Sequence, residues 1–197
     1  MRFLGFILGA GLFLTGCAVQ TPFAPEEEIA AVSYRNEGPA ELTLLTMINN
    51  RSGAGAHTAL VISASERVIF DPAGSFKAAN VPERNDVLFG ISPAVERSFI
   101  SAHSRSTHRV RVQTIQVTPQ QAALAYQLAL QAGPVPGVFC ANSTATLLKQ
   151  IPGFEQIDVT FFPVNLSDQF AQLPGVRTEV VREDDDPSLQ AALDALN

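Results

Sequence analysis

Three residues of this chain have the types needed for covalent acyl chemistry: His57, Asp71 and Cys140. A thiolate is a strong nucleophile, and its availability is set by the thiol's pKa. An imidazole takes and returns a proton near neutral pH. A carboxylate beside the imidazole fixes its tautomer and stabilises its charged form. The chemistry these groups point to is attack of Cys140 on an amide or ester carbonyl, with His57 as general base and Asp71 as its orienter. The remaining histidines, His103 and His108, flank a polar Ser-Arg-Ser-Thr stretch and read as solvent-exposed. Three dispersed histidines do not have metal-ligand spacing, and no glycine motif for phosphate is present. No metal or cofactor is expected.

The elements must bring these residues together. "ELTLLTMINN" (41–50), "HTALVI" (57–62) and "RVIFD" (67–71) are rich in β-branched and apolar residues and read as strands. "SASE" (63–66) reads as the hairpin turn between the second and third. If 62 lies opposite 66, then 57 lies opposite 71. Directly opposed residues share a face with Cβ atoms about 5 Å apart, so His57 and Asp71 fall side by side. Cys140 follows "GPVPG" (133–137) and precedes a predicted helix over 141–150, with Asn142 and Ser143 as capping residues. The positive end of a helix and its free N–H groups lower a thiol's pKa there, and the same N–H groups can stabilise an oxyanion.

The other segments fill out the frame. "PAGSFKAANVPERN" reads as a loop and "DVLFGI" as a short strand. Ser92-Pro93 opens a helix to about Ser101. "HRVRVQTIQV" (108–117) alternates as a strand, with Arg105, Arg109 and Arg111 on one solvated face. Thr118-Pro119-Gln120-Gln121 carries a capping box for an alanine-rich helix to Ala132. "VTFFPV" reads as a strand, "SDQFAQL" as a short helix and "RTEVV" as a last strand. Strands and helices without a regular βαβ rhythm imply an α+β fold with a mainly antiparallel sheet.

The N-terminus has a separate character. One arginine precedes an apolar run from Phe3 to Leu14, too short for a mature span, which needs about 20 residues. A positive start, a short apolar core and small residues are the pattern of a removable export signal. Leu14-Thr15-Gly16-Cys17 resembles the bacterial lipobox. That resemblance implies cleavage before Cys17 and lipidation of its thiol, with several acyl chains giving a stable anchor. Ala18, where many inner-membrane lipoproteins have aspartate, implies the periplasmic face of the outer membrane. Residues 18–40, with Pro22, Pro25, Glu26–Glu28 and Gly38-Pro39, read as a flexible tether; 41–182 as one domain; 183–197 as an acidic tail. The mature chain keeps 12 basic and 19 acidic residues, a net charge of 12 − 19 = −7. That argues against nucleic acid as a partner. With lipid on Cys17, Cys140 is the one free thiol of an exported chain, where disulfides are the norm.

"GAHTALVI", "RVIFDPAG" and, much later, "GVFCANSTATLL" resemble the circularly permuted papain-like hydrolases. These form the NlpC-like group, which includes lecithin retinol acyltransferase and several bacterial lipoproteins. In that group the order is a histidine on a strand, a polar residue on the next strand, then a cysteine at a helix start. Over residues 42–150 the resemblance implies a permuted papain-like fold, with His57 as base, Asp71 as orienter and Cys140 as nucleophile. Phe139-Cys140-Ala141-Asn142 differs from the Asn-Cys-Glu-His of the acyltransferase branch, which argues against lipid acyl transfer. The implied function is a membrane-anchored thiol hydrolase, with cell-wall peptides the nearest amide substrate. The alternative is a non-catalytic envelope lipoprotein serving as a binding or scaffolding module.

Overall fold

A computed structural model describes residues 22–184 of the chain. The elements in order are α1 (Glu26–Val32), β1 (Glu41–Asn49), β2 (Gly55–Ser63), β3 (Arg67–Phe70), β4 (Glu83–Arg84), β5 (Val87–Leu88), α2 (Pro93–His103), β6 (His108–Gln116), α3 (Pro119–Ala132), α4 (Cys140–Lys149), α5 (Pro163–Phe170) and β7 (Arg177–Val181). The strands make one seven-stranded sheet in the order β4-β5-β3-β2-β1-β6-β7. Every neighbouring pair is antiparallel. The fold is therefore α+β, with an antiparallel sheet as the alternating strand patterns require.

Both sheet faces are covered, which is why β1 is buried at every position from Leu42 to Ile48. On one face Leu42, Leu44, Leu60, Ile62, Val68 and Phe70 pack with Ala125, Ala145, Leu148 and Leu166 of α3, α4 and α5. On the other, Leu45, Ala59, Val61, Ile69 and Val110 pack with Phe99 and Ala102 of α2 and with Phe76. The period of two along each strand divides its side chains between these layers. Thr118 and Gln121 form the expected capping box of α3, and Ser92 caps α2 through the Val95 N–H.

Three expectations are corrected. Residues 22–40 are not a free tether. Ile29 of α1 is buried in the core, Arg67 N–H donates to the Tyr34 carbonyl, and Phe23 bridges to Arg84. Prolines 22 and 25 punctuate the segment, but Ile29 and Val32 supply an apolar stripe one turn apart that the sheet accepts. Second, "VTFFPV" forms no strand. Pro163 is the first residue of α5, and Val159, Phe161 and Phe162 are exposed; a proline fits a helix start far better than a sheet interior. Third, β2 and β3 pair with Ser63 opposite Arg67, not 62 opposite 66, because the turn is the three-residue loop 64–66. The folded unit also extends past 182, since Glu183 binds Ser101 and Arg105. Cys17, the export-signal segment and residues 185–197 lie outside the described residues.

Candidate active site

The register difference at the β2–β3 hairpin is two residues, and that parity decides the site. A slip of one would send every side chain to the opposite face, whereas a slip of two preserves it. His57 and Asp71 thus share a face as diagonal neighbours instead of a directly opposed pair. Asp71 lies just beyond the end of β3, and its Oδ1 meets His57 Nε2 at 2.6 Å. Both are shielded, with side-chain exposures of 16% for His57 and 3% for Asp71.

Cys140 arrives from the opposite layer. β3 pairs with β2 only over Leu60–Ser63, while β1 accompanies β2 back to Gly55. The β3-side edge of β2 around His57–Ala59 is therefore left without a strand neighbour. α4 packs against β2, and the thiol of Cys140, its first residue, has its pKa lowered by the backbone N–H groups of Thr58 and Ala141. No side chain caps α4, whose N-cap is Phe139. Asn142 and Ser143, expected as caps, lie inside its first turns, because the helix begins one residue earlier than the sequence suggests. The turn before it is strained: Val138 has φ 73°, a conformation that disfavours a β-branched residue by about 1–2 kcal/mol.

The electrostatics favour an ion pair between thiolate and imidazolium. Burial alone would lower the His57 pKa, but the charge and hydrogen bond of Asp71, with a further contribution from Cys140, raise it to about 10. Burial alone would raise the Cys140 pKa. The hydrogen bond and charge of His57, with the Thr58 and Ala141 N–H groups, bring it below the ordinary thiol value instead. With Nε2 committed to Asp71, Nδ1 is the ring nitrogen left for the thiol and for a leaving group.

Three further residues shape this site without standing out in the sequence. Asp86 joins the loops that carry the other groups. Its Oδ2 accepts the N–H of Ala73 and of Val135, each at 3.0 Å, and its carbonyl accepts the Asp71 N–H at 2.8 Å. Asn85 and Asp86, with φ of 51° and 63°, form the two-residue turn between β4 and β5. Asn and Asp are the side chains that best tolerate positive φ, but here they straddle the junction of the expected loop, which ends at Asn85, and the expected strand, which opens at Asp86. Gly74 is the second: a Cβ there would coincide with the Asp71 carboxylate.

His103 is the third, and here the expectation of a solvent-exposed histidine is corrected. Its ring packs on Phe99 at 4.5 Å and faces His57 at 6.3 Å. Its Nδ1–H donates to the Phe99 carbonyl at 2.7 Å, and burial lowers its pKa, so it stays neutral beside the charged His57. His57, Gly74, Ser75, His103, Arg105 and His108 line a cleft of about 380 Å³. His108 is half-buried there, not exposed. The arginines do not form a solvated face either. Arg105 pairs with Glu183, Arg109 binds Asn50 Oδ1, and Arg111 binds Asp168 and Ser167.

Among the described residues, no group of three or more His, Cys, Asp and Glu side chains is placed to hold a metal ion. No helix among them is long and apolar enough to cross a membrane. No family model matches the chain, and neither a curated protein nor a solved structure does.

Proposed function

We propose that this chain is a lipid-anchored thiol hydrolase of the bacterial envelope, built as a permuted papain-like enzyme. The observation that carries the reading is the convergence of Asp71, His57 and Cys140, with 2.6 Å between His57 Nε2 and Asp71 Oδ1 and the thiol at the start of α4. Cys140 thiolate attacks the carbonyl carbon of an amide or ester. The first-turn N–H groups of α4 receive the developing oxyanion. As the tetrahedral intermediate collapses, the C–N or C–O bond breaks and His57 gives its proton to the leaving amine or alcohol. A thioester with Cys140 remains. Neutral His57 then takes a proton from water, the oxygen attacks the thioester, and the acid departs as the ion pair reforms. Asp71 holds the imidazole throughout.

The anchor is lipid on Cys17, and Ala18 favours the periplasmic face of the outer membrane. Cell-wall peptides are the amide substrates available there, so the reaction is peptidoglycan amide cleavage. The test is incubation of purified protein with peptidoglycan fragments, with newly released amines and acids as the readout. Cys140→Ala is expected to abolish release. If Cys140 is alkylated near neutral pH no faster than free cysteine, and His57→Ala leaves that rate unchanged, the catalytic reading fails and a binding module takes its place.

A further inference from the structure

Cys140 is bordered by exposed apolar residues. Val138 and Phe139 immediately before it are 77% and 37% exposed, and Val159, Phe161 and Phe162 ahead of α5 are 45%, 50% and 72% exposed. The two segments meet, since the rings of Phe139 and Phe161 pack edge to face at 5.2 Å. They are also held in place. Gly55, at the start of β2, sits so close to α5 that an added Cβ would lie 2.8 Å from Pro163 Cβ. Neither 133–143 nor 159–167 contains a charged residue. A fixed apolar patch that exposes three phenylalanines is a surface that needs an occupant.

The path of the chain says which one. The Asn85 N–H donates to the Pro22 carbonyl at 3.3 Å, and the next residue, Asp86, accepts the Val135 N–H at 3.0 Å in the loop that leads to Val138. The first of the described residues and the loop before Cys140 are thus joined through one dipeptide. From Cys17 to Pro22 is five residues, a reach of at most about 18 Å. A lipidated Cys17 therefore keeps this end of the domain against the bilayer, where a free tether through residue 40 would have let it drift.

We propose that Val138, Phe139, Phe161 and Phe162 dock onto the phospholipid surface to which Cys17 is anchored, so that Cys140 works on substrates presented at that surface. The proposal rests on the lipid anchor assigned above, but its test does not. The chain from residue 18 to 197, which lacks only Cys17 of the mature protein, exported with a leader removed without acylation, is mixed with vesicles of zwitterionic phospholipid and assayed by flotation. It is expected to bind with little dependence on salt. Phe162→Ser combined with Val138→Gly is expected to weaken binding about ten-fold or more. Both substitutions suit their positions: serine is a favoured N-cap, the place Phe162 occupies in α5, and glycine accepts the φ of Val138. Absence of vesicle binding, equal binding by the double variant, or self-association of the parent chain through this patch would overturn the proposal. Fatty-acid labelling of the full-length chain in cells tests the anchor separately. A chain that binds vesicles but takes up no label refutes the anchor and keeps the docking surface.

Discussion

Asp71→Asn isolates the charge that holds the site in its ionised state, because asparagine keeps the shape and an oxygen acceptor for His57 Nε2–H. With a nitrogen–oxygen contact of 2.6 Å, the two charge centres lie about 4 Å apart. At an effective dielectric of about 20 this is worth about 4 kcal/mol, or about 3 pKa units. His57, at about 10 beside Asp71, falls to about 7 or below once burial is no longer opposed. Near neutral pH the imidazole then sheds its proton, and the Cys140 thiolate loses its partner. An ordinary thiol with pKa about 8.5 is only about 3% ionised at pH 7, so the thiolate population drops by at most about 30-fold. The assay is the rate of iodoacetamide alkylation at Cys140, followed by intact mass between about pH 6 and pH 8. An ordinary thiol gains about ten-fold per pH unit over this range. The wild-type rate is expected to be nearly flat, and the Asp71→Asn rate to climb with the ordinary slope. A wild-type rate that climbs ten-fold per unit, or a flat profile in Asp71→Asn, would refute the reasoning.

Gly74→Ala is expected to displace the Asp71 carboxylate, whose space the new methyl would take; its alkylation profile should acquire the same slope as Asp71→Asn with every ionisable group retained. Asp86→Ala leaves the N–H groups of Ala73 and Val135 without their acceptor. At about 1–3 kcal/mol for each, urea unfolding should show a loss of about 2–6 kcal/mol, and alkylation at neutral pH should slow as the loop leading to Cys140 loosens. Burial, with the charges of Asp71 and Asp86, raises the Glu83 pKa to about 7. A carboxyl whose folded pKa lies above its unfolded value favours folding below the unfolded value, and that contribution disappears as pH rises through the folded one. Glu83→Gln should therefore raise the melting temperature relative to wild type above about pH 7 and lose that advantage near pH 4; a gain confined to acid would contradict the assignment.

What could be read from the sequence depended on the range of the signal. His57 and Asp71 were legible because a hairpin is local and its parity tolerates an error of two residues, which is the error the three-residue turn introduced. Cys140 was legible from helix-start chemistry, although the helix begins on the cysteine itself and not after it. The strands β1, β2 and β6 and the caps of α2 and α3 follow from alternation and capping patterns that act within a few residues. Asp86 joins distant loops, Gly74 acts by the space it leaves for Asp71, and His103 acts by packing of α2 beside His57; composition reveals none of these. Residues 26–32 were misread because three glutamates and the flanking prolines outweigh one core residue, Ile29, in any local measure. "VTFFPV" has the residues of a strand, but none of the sheet's edges takes it; its aromatic side chains stand exposed instead, Phe161 against Phe139, the residue before Cys140.

The arrival of Cys140 from the opposite layer also sets an order of assembly. His57 and Asp71 are 14 residues apart, within one hairpin, a unit that forms in about 1–10 μs. Cys140 lies 140 − 57 = 83 residues from His57, and long-range closure comes late and slowly. Until α4 docks on the open edge of β2, the thiol has neither the imidazolium nor the Thr58 N–H. A partly folded chain therefore carries an ordinary, mostly protonated cysteine through the stages when its other surfaces are sticky and oxidants or disulfides could capture a thiolate. Reactivity becomes a report of completed folding. In a refolding experiment quenched with iodoacetamide at about pH 6, labelling of Cys140 should rise with the last kinetic phase and not with the hairpin.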